Sequence, residues 1–214
     1  PPYSAYWSGF WTKIREAADI WDAATYQANP SGRNSGVSGA AFDEALRVIE
    51  ERTQHRVGIR KLNRAAFGGH EEENLVDRLR REGDVIASMV AVIGHDVLGH
   101  VLFSRLEVDG SKKTVSAAAL APMAVLPERQ RQGIGTRLVM TGLALCRSRG
   151  VDAVFVLGHP GYYPHFGFSA EKARSVTAPF SGEAFMALEI RRGVLSTGGL
   201  TLTYPPAFAI DQKK

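Results

Sequence analysis

The sequence predicts an α+β domain built on a mixed β-sheet, and three features of the chain predict it. From Leu46 onward, strand-like and helix-like apolar patterns alternate. The tripeptide Gly94-His95-Asp96 separates two apolar runs, as the turn of an antiparallel hairpin does. Residues 114–125 form an almost wholly apolar run, which is typical of a strand covered on both faces, and a long helical pattern follows it.

Residues 1–44 differ in composition from the rest and are predicted to form an N-terminal extension of a domain that spans residues 45–214. Apolar side chains recur in the extension at helical spacing and predict a short amphipathic helix. They are Trp7, Phe10, Trp11, Ile14, Ala17, Trp21 and Ala24. Residues 29–39 are rich in turn-forming residues and are predicted to be a linker. We expect the aromatic face to pack on the same molecule or on a second copy in a homodimer, with a membrane surface or a partner helix as the alternatives.

Composition limits the class of protein. The chain has 214 residues, of which 44% are hydrophobic, as in a packed soluble domain. It contains no run of about 18 apolar residues and no signal-like start, so we expect no transmembrane helix and a cytoplasmic location. Cys146 is the only cysteine and no Cys/His spacing resembles a zinc site, so neither an internal disulfide nor a metal is expected. The net charge of +4 comes from scattered arginines rather than a clustered basic face, which argues against nucleic-acid binding.

The first strand and the first two helices of the domain follow from the pattern after residue 45. The alternation that begins at Leu46 predicts a short strand. Thr53 is a favourable N-cap for the next helix, and Gly68 predicts the end of that helix because glycine readily adopts the left-handed conformation. A second helix among charged residues is predicted to end at Gly83.

The central elements are predicted from the longer apolar runs. Residues 85–93 and 97–106 are the two strands of the hairpin. In the strand 114–125, Pro122 is expected at a bulge or an unpaired position because proline has no N–H for the ladder. Residues 133–150 carry apolar side chains at helical spacing and predict a long helix.

Shorter elements are predicted after the long helix. Residues 151–157 read as a strand, whereas 159–168 are too rich in Gly and Pro for a long helix. Two further strands are expected near residues 185–190 and 200–204. No internal repeat is present.

The junction between the apolar strand and the long helix carries the most informative motif, Gln-x-x-Gly-x-Gly at Gln130, Gly133 and Gly135. Glycines allow backbone N–H groups to approach phosphate oxygens, and the helix that follows points its unpaired N-terminal donors at the same place. A dinucleotide-binding motif does not fit because its third glycine would fall at Leu138, and a P-loop does not fit because no Gly-Lys-Ser/Thr follows. The loop is therefore predicted to bind a pyrophosphate.

The same residues carry a family resemblance. The segment Met-Ala-Val-x-Pro-x-x-Gln-Arg-Gln-Gly-Ile-Gly at 123–135, followed by Tyr163-x-x-x-Gly167-Phe168, resembles the Gcn5-related N-acetyltransferase (GNAT) superfamily. Segments 120–127, 157–160, 162–164 and 204–208 further resemble its YhbS-like branch. The resemblance covers the chain from about Leu46 to its end. It implies the GNAT acyl-CoA N-acyltransferase fold, an α/β/α sandwich whose mixed central sheet has two splayed parallel strands.

The resemblance implies that acetyl-CoA binds where strands 114–125 and 151–157 splay apart. Backbone groups around Met123, Ala124 and Val125 would hold the pantetheine and acetyl portions, and an N–H there would polarise the thioester carbonyl. The diphosphate would be lined by Arg131, Gln132, Gly133, Ile134, Gly135 and Thr136.

Tyr163 is the candidate catalytic acid, because its spacing to Gly167-Phe168 matches the family pattern. A phenol with an ordinary pKa of about 10 stays protonated at neutral pH and can donate to a departing thiolate whose conjugate acid has a pKa of about 8.5. The alternative is a tyrosine that only packs under the turn that follows it. Tyr162 is interpreted as a packing or pocket residue.

The base that takes the proton of the amine is left open by the sequence. Many members of the family place a glutamate on the strand before the loop, but residues 117–125 offer no ionisable side chain. A water chain, His100, Glu107 or His165 could serve instead.

These observations predict transfer of an acetyl group from acetyl-CoA to a primary amine of a small molecule, peptide or protein. The alternative is a CoA-binding regulatory or sensing module without turnover, which the missing strand carboxylate favours. The sequence contains no clear code for the acceptor.

Overall fold

A computed structural model describes residues 39–110, 114–196 and 198–208 of the chain. Its α-helices are α1 (Gly39–Ala45), α2 (Arg56–Phe67), α3 (Glu71–Glu82), α4 (Ile134–Ser148) and α5 (Ala170–Ala173). Its strands are β1 (Arg47–Glu50), β2 (Val85–Ile93), β3 (Asp96–Asp109), β4 (Ala117–Val125), β5 (Ala153–Leu157), β6 (Val176–Thr177), β7 (Phe185–Glu189) and β8 (Leu200–Thr203). Short 3-10 helices cover Thr53–His55, Pro127–Arg129, Tyr163–Phe166 and Pro206–Phe208. The predicted aromatic helix lies outside the described residues.

The strands form one mixed sheet, which confirms the predicted α+β class. Six strands follow the order β1-β2-β3-β4-β5-β7, while β8 pairs with the far end of β3 and with β6. Strands β4 and β5 are parallel, and β1, β2, β3 and β7 are antiparallel to their neighbours along this path. The parallel pair in the middle of the sheet requires a crossover, which α4 provides.

Helices cover both faces of the sheet. On one face, α2 and α3 bury Ile59 and Leu79 against strand residues that include Leu102. On the other face, α4 buries Ile134 and Leu138 against a second cluster of strand side chains. This three-layer arrangement explains why β4 has apolar side chains in almost every position, as predicted for a strand covered on both sides.

The ends of α2 and α3 lie at the glycines predicted from the sequence. Gly68 and Gly83 both adopt positive φ and cap the two helices in the left-handed conformation. The start of α2 differs from the prediction. Thr53 is the first residue of a 3-10 turn rather than the N-cap of the helix, and the N-cap of α2 is His55, whose Nδ1 accepts a hydrogen bond from the backbone N–H of Arg52.

Helix α1 contacts the domain close to the glycine-containing loop. Phe42 packs against the same apolar cluster as α4, and the Arg129 guanidinium lies 5.7 Å from the centre of its ring. Asp43 is 3.4 Å from Arg137 of α4. The boundary between residues 44 and 45 stays a prediction. None of the helices in the described part of the chain has the length and apolar character needed to cross a bilayer.

Candidate active site

Strands β4 and β5 separate at the end of the sheet where the loop lies. They pair in parallel from Ala117–Ala153 to Leu120–Val156, and the ladder stops there although β4 continues to Val125. The predicted irregularity at Pro122 accounts for this. The register between β3 and β4 shifts between Phe103–Leu120 and Val101–Met123, so that β4 carries an extra residue at this point.

After the bulge, β4 follows β3 alone. Met123, Ala124 and Val125 pair with Val101, His100 and Gly99 of β3. On the β5 side, the register pairs none of these three residues with a strand of the described chain. Their main-chain groups on that side therefore line a cleft between the separated strands, where an extended ligand can add to the edge of β4.

The loop after β4 brings backbone amides into the same region. Gly133 is the N-cap of α4 with φ 78°, and a Cβ placed on it would meet nothing within 4 Å. Arg131 also adopts a positive φ, of 60°. The first hydrogen bond of α4 joins the N–H of Arg137 to the carbonyl of Gly133 at 3.1 Å. The amides of residues 134–136, at the N-terminus of the helix, therefore have no acceptor within the helix. The loop thus presents successive donors and the positive end of the α4 dipole, as an anion site does.

Two exposed glutamine side chains donate hydrogen bonds to carbonyls of the same segment. Gln130 donates to the carbonyl of Val125 at 3.3 Å, and Gln132 donates to the carbonyl of Glu128 at 3.3 Å. Arg131, Gln132 and Gly133 are exposed, whereas Ile134, the first residue of α4, is buried. The two glutamine side chains therefore help to fix the shape of a loop whose residues 131–133 are exposed.

The turn after β5 closes the cleft from the other side. A Cβ on Gly135 would lie 2.9 Å from the Tyr162 hydroxyl and 3.8 Å from Cγ2 of Val125. The end of β4, the start of α4 and the tyrosine turn thus meet at Gly135. The structure brings together the three groups of residues that the sequence predicted as a site, and their individual roles stay predictions.

Tyr163 is buried, with 7% of its surface exposed, and its ring packs edge-on against Phe168. A Cβ on Gly158 would overlap the ring, so the close approach of the β5 end requires glycine there. Burial raises the pKa of Tyr163 well above its ordinary value, and the neighbouring Tyr162 adds to the shift. The phenol is therefore fully protonated at neutral pH.

A buried polar cluster lies next to Ala124, on the face of the sheet that α2 and α3 cover. The Glu51 carboxylate accepts hydrogen bonds from Arg80 at 2.8 Å and from the Ser88 hydroxyl at 2.5 Å. Nε2 of His100 lies 2.9 Å from the Ser88 oxygen and 3.8 Å from Glu51. We call these four residues the His100 cluster.

Burial and hydrogen bonding set the charges in the His100 cluster. Burial acts to raise the pKa of Glu51, but the contacts with His100, Arg80 and Ser88 outweigh it and lower that pKa to about 2. Burial lowers the pKa of His100 below its ordinary value, and the nearby Glu51 opposes the shift only in part. At neutral pH the cluster therefore contains an ionised glutamate, an arginine and a neutral imidazole.

The structure separates the candidate bases from one another. His100 is fully buried and pairs with Ala124. Glu107 is exposed and pairs with Thr203, so it lies seven positions farther along β3, roughly 23 Å away. His165 is exposed, with its Nδ1 3.0 Å from the carbonyl of Tyr162. The partners of His100, namely Glu51, Arg80 and Ser88, were not found from the sequence.

Comparison with known proteins gives this arrangement a family. Residues 46–170, more than half of the 214-residue chain, match the family model of the acetyltransferase (GNAT) domain. The chain belongs to the GNAT family. The segment that defines this GNAT protein's match runs from β1 through the cleft and the loop to the tyrosine turn, so it contains the whole candidate site.

Two Escherichia coli proteins are curated relatives of this GNAT chain. The uncharacterized N-acetyltransferase YjhQ of strain K12 is 39% identical over 112 residues, which are 51% of this chain and 62% of YjhQ. The uncharacterized N-acetyltransferase YhbS of strain K12 is 36% identical over 112 residues, 52% of this chain and 66% of YhbS. The matched segment thus spans less than two thirds of either relative's length.

Two crystal structures resemble the fold closely. E. coli YhbS, solved in complex with CoA, is 27% identical with a TM-score of 0.71, and the match covers 78% of this chain and 94% of YhbS. A GNAT family acetyltransferase from Brucella melitensis, solved in complex with acetyl-CoA, is 33% identical with a TM-score of 0.63, and the match covers 76% of this chain and 97% of that one. These similarities confirm the predicted GNAT fold and its YhbS-like character.

Proposed function

We propose that this protein is an N-acetyltransferase that moves an acetyl group from acetyl-CoA to a primary amine of a small molecule, peptide or protein. The observation that carries the proposal is the separation of β4 from β5 after Leu120 and Val156, directly beside a helix start whose first hydrogen bond is donated only by Arg137. Family membership and the CoA and acetyl-CoA complexes of the two similar structures support it.

The residues of the loop suit the diphosphate of a CoA molecule. The amides of residues 131–136 are the candidate donors, together with the positive dipole end of α4. The space around Gly133 is open, and the backbone there adopts a conformation that disfavours other residues. Recognition of this kind depends on main-chain atoms, so it needs glycine more than it needs any particular side chain.

The cleft suits the thioester end. Main-chain groups of Met123, Ala124 and Val125 on the β5 side would hold the pantetheine, and one N–H there would stabilise the negative charge that develops on the carbonyl oxygen. Tyr163 would donate its proton to the departing sulfur. Burial raises the pKa of the Tyr163 phenol, and it would also raise the pKa of a CoA thiol buried beside it. Because both pKa values move in the same direction, the phenol can still donate its proton to the thiolate.

The proposal is tested by thiol release. The full chain is incubated with acetyl-CoA and a panel of amines, aminoglycosides, polyamines and peptide N-termini, and free CoA thiol is measured against a sample without acceptor. Acceptor-dependent release with at least one class supports the proposal. Release that no acceptor increases, in a protein shown by calorimetry to bind CoA, contradicts it.

A second function, a CoA-binding regulatory or sensing module, is favoured by one observation. Strand β4 carries no ionisable side chain between Ala117 and Val125, so the strand lacks the carboxylate that many relatives in the family use as a base. Under this alternative, CoA raises the melting temperature while Tyr163→Phe changes no measurable rate. Measuring both quantities on the same samples separates the two functions.

The finer assignments of location and assembly extend the proposal. We expect a cytoplasmic protein, and we expect the aromatic stripe of residues 7–24 to mediate a homodimer. Sedimentation of the full chain, compared with a variant in which Trp7, Trp11 and Trp21 are replaced by serine, tests the dimer.

A further inference from the structure

His100 is buried within the His100 cluster, and one of its ring nitrogens has no hydrogen-bond partner among the described residues. The residue is 0% exposed, and its Nδ1 is unpaired among the residues that the structure describes. A buried ring nitrogen without a partner loses its hydrogen bonds to water and gains none in return, so the arrangement calls for an explanation.

The hydrogen bonds of the His100 cluster determine which nitrogen carries the proton. Glu51 is ionised and can only accept, so the Ser88 hydroxyl donates its hydrogen to Glu51. The Ser88 oxygen then accepts from Nε2–H of His100 at 2.9 Å. In a neutral imidazole the other nitrogen has no proton. Nδ1 of His100 is therefore a free lone pair that is ready to accept a proton.

Sheet geometry places the His100 side chain beside Ala124, next to the proposed reaction centre. His100 is the cross-strand partner of Ala124, and directly opposite residues of an antiparallel pair have their Cβ atoms about 5 Å apart on the same face. The side chain of Ala124 is only a methyl group. Ala124 also lies where the thioester is expected.

We infer that His100 is the general base of the acetyl transfer, and that Ser88 and Glu51 position it and stabilise its protonated form. This inference rests on the proposed function. The arrangement follows the logic of a catalytic triad, in which a carboxylate holds a histidine in one tautomer and stabilises the imidazolium. Here the serine lies between the carboxylate and the histidine, and it is not a nucleophile.

In the proposed step, protons move among the acceptor amine, His100 and Tyr163. Nδ1 of His100 takes one proton from the ammonium form of the acceptor. The amine lone pair forms the new C–N bond, and the C–S bond breaks with its electron pair on sulfur. Tyr163 gives its proton to the sulfur and takes back the proton that the amide nitrogen loses. His100 returns its proton to water after the products leave.

The charged groups around His100 suit this role. Glu51 faces it from the end of β1 at 3.8 Å, Arg80 faces it from α3, and Ser88 faces it from β2. Burial and Arg80 keep the imidazole neutral before the reaction, while Glu51 limits the cost of the positive charge during it. The pKa of His100 lies below its ordinary value, so the free base is the dominant form at pH 7.

The pH profile of His100→Gln tests the inference. Glutamine can still donate to Ser88, but it cannot take a proton. We expect kcat/KM at pH 7 to fall about 100-fold, with the KM for acetyl-CoA and the Kd for CoA unchanged. The loss should shrink toward pH 9.5, because an acceptor that is already deprotonated needs no base. His95→Gln, in the exposed turn of the hairpin, is the matched control and should behave as the wild type.

Several results would overturn the inference. A loss of kcat/KM that is equal at pH 7 and pH 9.5 would indicate a structural role for His100. A loss that depends on pH in His165→Gln, but not in His100→Gln, would assign the role of the base to His165. If the wild type turns over and His100→Gln is unimpaired, the inference fails while the proposed function stands. If the wild type binds CoA but no amine accelerates thiol release, both fail.

A measurement on the protein without substrate keeps the inference testable if His100→Gln does not fold. Long-range proton–nitrogen NMR on histidine-labelled protein reports which ring nitrogen carries the hydrogen. We expect a neutral His100 with hydrogen on Nε2 at pH 7, and a shift away from this form in Ser88→Ala. Hydrogen on Nδ1 in the wild type would overturn the inference.

Discussion

The glycine-containing loop follows the end of β4, whereas the His100 cluster lies beside β4 within the sheet, and the two regions are built by different means. The loop is one continuous segment that acts through its main chain, and its side chains are largely exposed. The His100 cluster joins side chains from four separate elements, and three of its members have less than a tenth of their side-chain surface exposed. The loop should therefore be sensitive to any added side chain, whereas the cluster should be sensitive to the loss of a single functional group.

The largest effect is expected from Gly133→Asp in the loop. A side chain and a negative charge among the amides should weaken CoA binding about 1,000-fold, because charge-assisted hydrogen bonds are lost and repulsion is added. The positive φ of 78° should cost about 1 kcal/mol of stability. Calorimetry with CoA measures the affinity, and thermal unfolding measures the stability.

Gly193→Asp is the matched control for this prediction. Gly193 has φ 77° and an equally open environment, so it should suffer the same loss of stability. It follows β7 at the end of the sheet where Glu189 pairs with Ala153, away from the cleft, and CoA affinity should not change. Equal affinities of the two variants would show that the loop does not bind the diphosphate.

A smaller effect is expected from Tyr163→Phe, which removes one hydroxyl and keeps the packed ring. We expect kcat to fall about 100-fold with an unchanged KM for acetyl-CoA, because general acid catalysis typically increases the rate by a factor of this order. Tyr204→Phe removes the hydroxyl of another buried tyrosine whose pKa burial also raises, and it should leave kcat unchanged. A fall of kcat in both variants would point to a general effect of buried hydroxyls on the fold.

Glu51→Gln should change how the stability of the protein depends on low pH. The pKa of Glu51 is depressed to about 2 in the folded state, so its contribution is fully present above about pH 4.5 and is lost as the pH falls toward 2. Wild-type stability should drop by about 2 kcal/mol more than that of Glu51→Gln between pH 6 and pH 3. Urea unfolding at the two pH values measures the difference. Parallel losses in both proteins would mean that Glu51 is not held as an ion.

The smallest effect is expected from Gly135→Ala. The new methyl group would lie 2.9 Å from the Tyr162 hydroxyl, so that side chain must move. We expect CoA affinity to fall about fivefold and to recover in the double variant with Tyr162→Phe, because removal of the hydroxyl makes room. If the double variant is as weak as Gly135→Ala alone, the methyl group interferes with the ligand rather than with Tyr162.

The difference between the two regions also explains what the sequence could predict. The loop could be predicted because Gln130, Gly133 and Gly135 lie close together in the sequence, between a strand and a helix. Helix ends at Gly68 and Gly83 were readable for the same reason, since each depends on a local backbone conformation. The prediction that Thr53 is the N-cap of α2 was wrong because a 3-10 turn precedes the helix. A single favourable cap residue does not exclude such a turn.

The His100 cluster could not be predicted because it depends on register. A bulge near Ala91 shifts the pairing of β2 and β3, so that Val90 rather than Met89 pairs with His100. A one-residue shift moves every later side chain to the other face. Without this bulge, His100 and Ser88 would lie on opposite faces of the sheet. The only local signal was a polar residue within each of two adjacent apolar strands.

Contact between the backbone amides of residues 131–136 and the diphosphate of CoA is the central requirement of the proposed function. A crystal structure of the full chain grown with CoA measures that contact directly. We expect diphosphate oxygens within about 3 Å of several amide nitrogens at the start of α4, with the sulfur between Ala124 and Tyr163. A diphosphate bound elsewhere, with these amides facing only water, would contradict it.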